Sequence, residues 1–289
     1  MIRALRRFVS KLKGRNKVLF FLGLTLICIM ALCIGIYIQF FYKYSETDPL
    51  MIGINIGSQK TAEELAALEV EFNNIFKNEL NIKSENVNVE KIKEENELVY
   101  SMYQLENADE NYYTVNATIP TININSEVVN EINNSIRTEF YDKANSIMRQ
   151  TEEFVVYNVS YQAFINEDIV SVVIKAALKE GNNAERVSIK TYNYSMSADR
   201  QVTLENLINL KKTTVKSVQD TIDEDIKIAD TNAKIIAADY GNLYERDLDS
   251  DMYKVENAST FFLTDEGYVY IVYAYVNTDY TNEMDIVIF

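Results

Sequence analysis

"FFLTDEGYVYIVYAYVNTDY", residues Phe261 to Tyr280, alternates, turns and alternates again. Asp265-Glu266-Gly267 supplies the turn, with Gly267 placed for the left-handed backbone that side chains resist. After it, Tyr268, Tyr270 and Val272 fall on one face, and Val269, Ile271 and Tyr273 on the other. A strand apolar on both faces has no solvent side and belongs in the middle of a sheet, covered above and below. The tyrosines are accordingly assigned to a core rather than to a binding platform. A short final strand, "MDIVIF", follows.

Upstream, "FVVYNVSYQAFI" (154–165), "IVSVVIKAAL" (169–178) and "RVSIKTYNYSM" (186–196) read as an antiparallel meander. In the first strand Val155, Tyr157, Val159, Tyr161 and Ala163 share a face; in the second Val170, Val172, Ile174, Ala176 and Leu178 do. Such one-sided alternation covers one core. Earlier still, "NVNVEKI", "ELVYSMYQL" and "YYTVNATI" predict strands, the last ended by Pro120. Helices are expected at five places. Thr61-Ala62-Glu63-Glu64 is a capping box opening a helix over about 62–80. Ser126 caps one running to about 150. A short helix covers about 203–210, and two more cover about 214–228 and 231–245. Helices and strands in runs, without regular β-α alternation, give an α+β fold of antiparallel sheets packed with helices.

The N-terminal part differs in kind. Val18 to Tyr42 is a 25-residue stretch without a charge. As a helix it extends about 37 Å, enough for a hydrocarbon core of about 30 Å. Seven basic residues precede it, which places the N-terminus in the cytoplasm and the rest outside. "KYSETDPL" follows without an A-x-A-like site, so the span reads as a retained anchor rather than a cleaved signal. Both cysteines, Cys28 and Cys33, lie inside it and read as packing residues, leaving the outer part without disulfides. The expected organisation is a basic head (1–17), a transmembrane helix (18–42), a stalk (43–60), and two α+β parts (61–200 and 201–289). Leu5, Phe8, Val9 and Leu12 give the head one apolar helical face, read as an anchor on anionic lipid.

Charge divides along the same line. The chain holds 28 Lys and Arg against 43 Asp and Glu. Eight of the basic residues lie in the first 44 positions, which hold no acid, so residues 45–289 carry 20 basic and 43 acidic groups, a net of −23. That field repels nucleic acid and anionic polymers, and it attracts cationic proteins.

Catalytic chemistry is sparse. With no histidine in the chain, Ser-His-Asp, Cys-His and histidine-metal sites are excluded. No phosphate-binding glycine motif occurs among the eight glycines. "DLDSD" places Asp247, Asp249 and Asp251 at alternate positions, as a calcium loop begins. Met252 then stands where that loop needs glycine and Ala258 where it needs glutamate, so no metal or cofactor is expected. The three aspartates are taken instead as a partner-binding acidic loop. "DTIDEDI" (220–226) reads as the polar face of a helix. The Asn-x-Ser/Thr triplets at Asn116, Asn133, Asn158, Asn193 and Asn257 are what an asparagine-rich chain produces by chance.

The tail carries a resemblance. "FFLTDEGYVYIVYAYVNTDYTNEMDIVIF", preceded by Tyr157–Tyr161, Asp168–Val172, Thr191–Tyr194 and Val202–Leu207, resembles the ordered motifs of a bacterial extracytoplasmic family. That family supplies the ectodomain of the anti-sigma-V factor RsiV, a lysozyme receptor, and the non-catalytic N-terminal region of the peptidoglycan deacetylase PdaC. This chain has Tyr268-Val269-Tyr270 where the family has Leu-Val-Phe, and a far shorter cytoplasmic segment. The resemblance implies a membrane-anchored, extracytoplasmic binding or sensing protein of the cell envelope, not an enzyme, with lysozyme or another cationic protein as partner. Two other readings stand beside it. One is an anti-sigma regulator whose head holds a cytoplasmic sigma factor until proteolysis; the other is a cell-wall-modifying enzyme working through carboxylates alone.

Overall fold

The computed structural model describes residues 60–77, 89–94, 96–149, 152–240, 246–275 and 283–289. The expected head, membrane span and stalk up to residue 59 lie outside the described residues, as do 86–88 of "NVNVEKI" and residues 276–282. No helix among the described residues is long and apolar enough to cross a membrane. All the described residues belong to one compact unit, Ile54–Phe289.

The fold is mixed α+β. Six strands form the larger sheet in chain order: β1 (Val99–Asp109), β2 (Tyr113–Ile122), β3 (Val155–Asn166), β4 (Ile169–Glu180), β5 (Arg186–Ser195) and β6 (Arg200–Gln201). A smaller sheet has the order β7 (Phe261–Leu263), β8 (Val269–Ala274), β9 (Met284–Ile288). The helices are α1 (Ala62–Ile75), α2 (Glu127–Ile136), α3 (Asp142–Ile147), α4 (Leu204–Leu210) and α5 (Val215–Tyr240).

The hairpin behaves as its sequence dictates. Gly267 has φ +89° and donates its N–H to the Thr264 carbonyl at 3.0 Å. β8 is the central strand of its sheet, and Val269 to Tyr273 are all at most 5% exposed. Each sheet then has its own core. Under the larger one, Tyr157, Val159, Tyr161, Val172 and Ile174 pack with Ile132, Ile136 and Phe140. Against the smaller one, Val269, Ile271 and Val287 pack with Leu207, Val218, Ile222 and Ile226.

Several expectations are corrected. The sheet is not antiparallel throughout: β2 and β3 run parallel, with α2 and α3 forming the crossover that a parallel pair requires. Residues 89–94 form no strand. Pro120 does not end β2, which runs on to Ile122. It pairs with Ser101 where β1 shifts register, so its missing N–H falls at an irregularity. Past Ala117, the last residue of β2 paired to β3, Asn133 of α2 takes over as partner. Its amide accepts from the Ile122 N–H at 2.8 Å and donates to the Ile122 carbonyl at 2.9 Å. The helix expected over 126–150 is interrupted by a π-helical turn, Arg137–Tyr141. The two helices expected after Thr214 are one, α5, of 26 residues. Asp230, Thr231 and Asn232 look like a break. Lys234 pairs with Asp230 at 2.7 Å, and the Thr231 hydroxyl donates to the Lys227 carbonyl at 2.8 Å, so the helix passes through.

The two sheets meet along a polar seam. Thr191 Oγ1 accepts from the Phe261 N–H at 3.0 Å, and Asn193 Nδ2 donates to the Phe261 carbonyl at 2.7 Å. Ser171 Oγ donates to Asn193 Oδ1 at 2.7 Å and accepts from the Leu263 N–H at 3.1 Å. Side chains of β4 and β5 thus satisfy backbone groups of β7. Beside this seam Phe262 stacks between Phe164 and Tyr270, with ring centroids 5.5 and 4.8 Å away.

Candidate functional site

An acidic surface is built on α5. Val218, Ile222 and Ile226 are buried in the smaller core, which turns Asp220, Asp223 and Glu224 towards solvent. The segment after the helix lies across this face. There the Asp247 carboxylate accepts the Asp249 N–H at 3.2 Å, and its carbonyl accepts the Ser250 N–H at 3.0 Å. Ser250 caps a short 3₁₀ turn, Asp251–Tyr253, and Asp251 forms an ion pair with Lys254.

Gln219 joins the two parts. Its side-chain amide donates to the Tyr253 carbonyl at 3.0 Å and to Asp223 Oδ1 at 2.7 Å, and it accepts from the Val255 N–H at 2.9 Å. One glutamine thereby fixes the acidic turn to the acidic helix face. Between them lies a depression of about 610 Å³ whose lining includes Asp220, Asp223, Asp249 and Glu256, with Lys216 and Lys254 as its basic groups.

The expected loop residues separate by role. Asp247, Asp249 and Asp251 are all exposed. Asp249 enters the depression, Asp247 shapes the turn, and Asp251 is engaged by Lys254. Among the described residues, no group of three or more His, Cys, Asp or Glu side chains comes together around a metal-sized site. The residues that sequence reasoning passed over are Gln219 and Glu256. Neither belongs to a motif, and only the tertiary contact between α5 and the turn gives them a place.

A second charged cluster is internal. Arg246 donates to both oxygens of Asp285, at 2.7 and 2.8 Å, and Tyr275 donates to Asp285 at 2.5 Å. Tyr253 shares a 2.6 Å hydrogen bond with Tyr275. Burial works against the Arg246 charge, but the bonds and charge of Asp285 outweigh it and the guanidinium pKa is raised. Burial, then Asp285, pushes the Tyr275 hydroxyl far above its ordinary value. Nearby Lys60 and Asp225 form a buried 2.6 Å ion pair. Burial raises the Asp225 pKa, with Lys60 opposing. Glu69 is raised too, by burial first and then by Glu283 and Asp285. Glu69, Asp225, Arg246, Glu283 and Asp285 line a cleft of about 290 Å³ between α1, α5 and β9. The carboxylates of Asp225 and Asp285 are occupied by cations, as a structural ion pair requires.

No protein-family profile matches this sequence. No curated protein matches it. Two similar solved structures are a DUF3298 family protein from Pseudomonas aeruginosa PAO1 and a DUF3298 family member from Bacteroides fragilis NCTC 9343. The first is 13% identical, with 66% of this chain and 87% of that chain covered and a TM-score of 0.37. The second is 11% identical, with 61% and 79% covered and a TM-score of 0.29.

Proposed function

We propose that this protein is a membrane-anchored, extracytoplasmic binding and sensing module of the cell envelope. Its acidic surface on α5 and the 247–256 turn receives a cationic protein, of which lysozyme is the candidate that the RsiV-like tail implies. The observation that carries this reading is the Gln219 strut, which holds Asp220, Asp223 and Asp249 around one depression. Lys216 pairs with Asp220 at 2.7 Å, and the acidic excess that remains around the depression speeds the encounter with a cationic partner. The net of −23 over residues 45–289 extends the same field over the whole outer part.

The test uses the full chain in nanodiscs of zwitterionic lipid, titrated with hen lysozyme by calorimetry at low and moderate salt. Saturable binding that weakens with salt yet persists at moderate salt is expected. The combined change Asp220→Asn, Asp223→Asn, Asp249→Asn is expected to weaken it by at least about tenfold. Absence of binding at moderate salt, or full affinity in the triple variant, rejects the reading.

A further inference from the structure

The cleft of about 290 Å³ between α1, α5 and β9 holds more acid than its cations engage. Asp285 is bound by Arg246 through two hydrogen bonds, and Asp225 by Lys60. Glu283 reaches Arg246 only at 3.6 Å. The Glu69 carboxylate has no hydrogen bond or ion pair among the described residues. Lys175 and Arg246 act on it from a distance, and burial together with Glu283 and Asp285 outweighs them. A half-buried carboxylate left in this way destabilises the fold, and a cation placed in the cleft offsets that cost.

The backbone in the same cleft is unsatisfied too. β9 is an edge strand of its sheet. Tyr275 donates its N–H to the Glu283 carbonyl at 3.1 Å, and Val269 donates to the Phe289 carbonyl at 2.9 Å, so residues 283 and 289 turn their backbone groups towards β8. Antiparallel pairing alternates, so Asp285 and Val287 do the same opposite Tyr273 and Ile271. Met284 and Ile286 then point their N–H and C=O groups the other way, off the free edge. Both residues line the cleft and are only 6% and 5% exposed. Among the described residues their outward backbone groups meet no partner. Buried backbone groups are nearly always paired, and an extended peptide laid along an edge strand pairs them.

Leu65 of α1 and Ala229, Ala233 and Ile236 of α5 give the cleft apolar walls. Such walls suit an aliphatic stem that ends in a cation. A guanidinium carries five N–H donors in a flat fork and can serve two carboxylates at once. The volume is near the lower end for small-ligand sites, roughly 300–1,000 Å³, which limits the occupant to about one side chain and its flanking peptide groups.

We infer that this cleft receives an arginine or lysine side chain presented on an extended peptide, with the cation between Glu69 and Glu283 and the peptide groups on the free edge of β9. The residues are distinct from Asp220, Asp223 and Asp249, and the inference does not depend on the partner proposed for that surface.

The full chain in nanodiscs of zwitterionic lipid, without lysozyme, is titrated with N-acetyl-arginine N-methylamide, with n-butylguanidinium and with the neutral N-acetyl-norleucine N-methylamide, followed by saturation-transfer NMR. The capped arginine is expected to bind saturably with Kd on the order of 1 mM, and the norleucine compound at least about tenfold more weakly. Glu69→Gln keeps the shape of the side chain and removes its charge, and Ala233→Met fills the cleft. Each is expected to raise the Kd of the capped arginine about tenfold, with the fold retained by its urea midpoint. Glu63→Gln, at an exposed position on the first turn of α1, and the triple variant of the acidic surface are expected to leave that Kd unchanged, so the two sites fail independently. Tighter binding of the capped arginine than of butylguanidinium supports the use of the β9 edge; equal binding overturns that part. No saturable binding of the capped arginine at 10 mM (roughly an order above the expected Kd), an affinity unchanged in Glu69→Gln, or equal weakening by Glu63→Gln and Glu69→Gln overturns the site.

Discussion

At the scale of single residues, charge burial decides the pH response. Glu69 stands in the cleft beside Glu283 and Asp285, and its pKa is raised above the ordinary 4.5 by burial and by those neighbours. A carboxyl whose folded pKa is raised binds its proton more tightly in the folded state. Stability therefore falls as pH rises from the ordinary value through the raised one, and the loss is complete above it. Glu69→Gln is expected to raise the denaturation midpoint at pH 7 and to leave it nearly unchanged at pH 4, where both side chains are neutral. Urea titrations at the two pH values check this; a lower midpoint at pH 7 contradicts it. The raised pKa was not legible in the sequence, because Glu283 and Asp285 stand more than two hundred positions away from Glu69. The caps were legible. Thr61 with Glu64 forms both bonds of its box, and Thr203 forms the equivalent box with Asn206, because a cap is a contact three residues long.

At the scale of elements, local patterns foretold what neighbouring residues determine. The hairpin turn, the central placement of β8 and the buried faces of β3 and β4 follow from alternation and one glycine. The parallel β2–β3 pairing does not, since alternation is the same whichever way the neighbour runs. Nor does the seam. Ser171, Thr191 and Asn193 read as ordinary polar residues of half-exposed strands, yet they bind the backbone of β7. Asn193→Ala leaves the Phe261 carbonyl and the Ser171 hydroxyl without their partner in a buried place. The expected cost is about 1–3 kcal/mol, read as a lower urea midpoint with an unchanged slope. A cost below experimental error shows that water replaces the amide and that the seam is not what joins the sheets.

At the scale of the whole molecule, distant parts of the chain are tied by ions. Lys60 and Asp225, 165 positions apart, meet with side chains only 2% and 4% exposed. Removing one partner strands the other charge, so Lys60→Met is expected to cost about 3–5 kcal/mol, whereas Lys60→Met with Asp225→Leu recovers most of that loss. Denaturation of the full-length single and double variants measures it; equal loss in both assigns the effect to packing instead. The acidic surface was legible as composition, and Asp249 as a loop residue. Its assembly with Asp220 and Asp223 waits on Gln219, whose role exists only after folding. The buried tyrosines carry a last consequence. The chain has no tryptophan, and burial raises the hydroxyl pKa of Tyr157, Tyr192, Tyr270, Tyr273 and Tyr275 above the ordinary 10.0. Unfolding frees these phenols to ionise, so stability drains away as pH climbs past 10. Their phenolate absorbance in strong alkali then rises in step with collapse of the fold, and the protein needs no added dye to announce its own loss of structure.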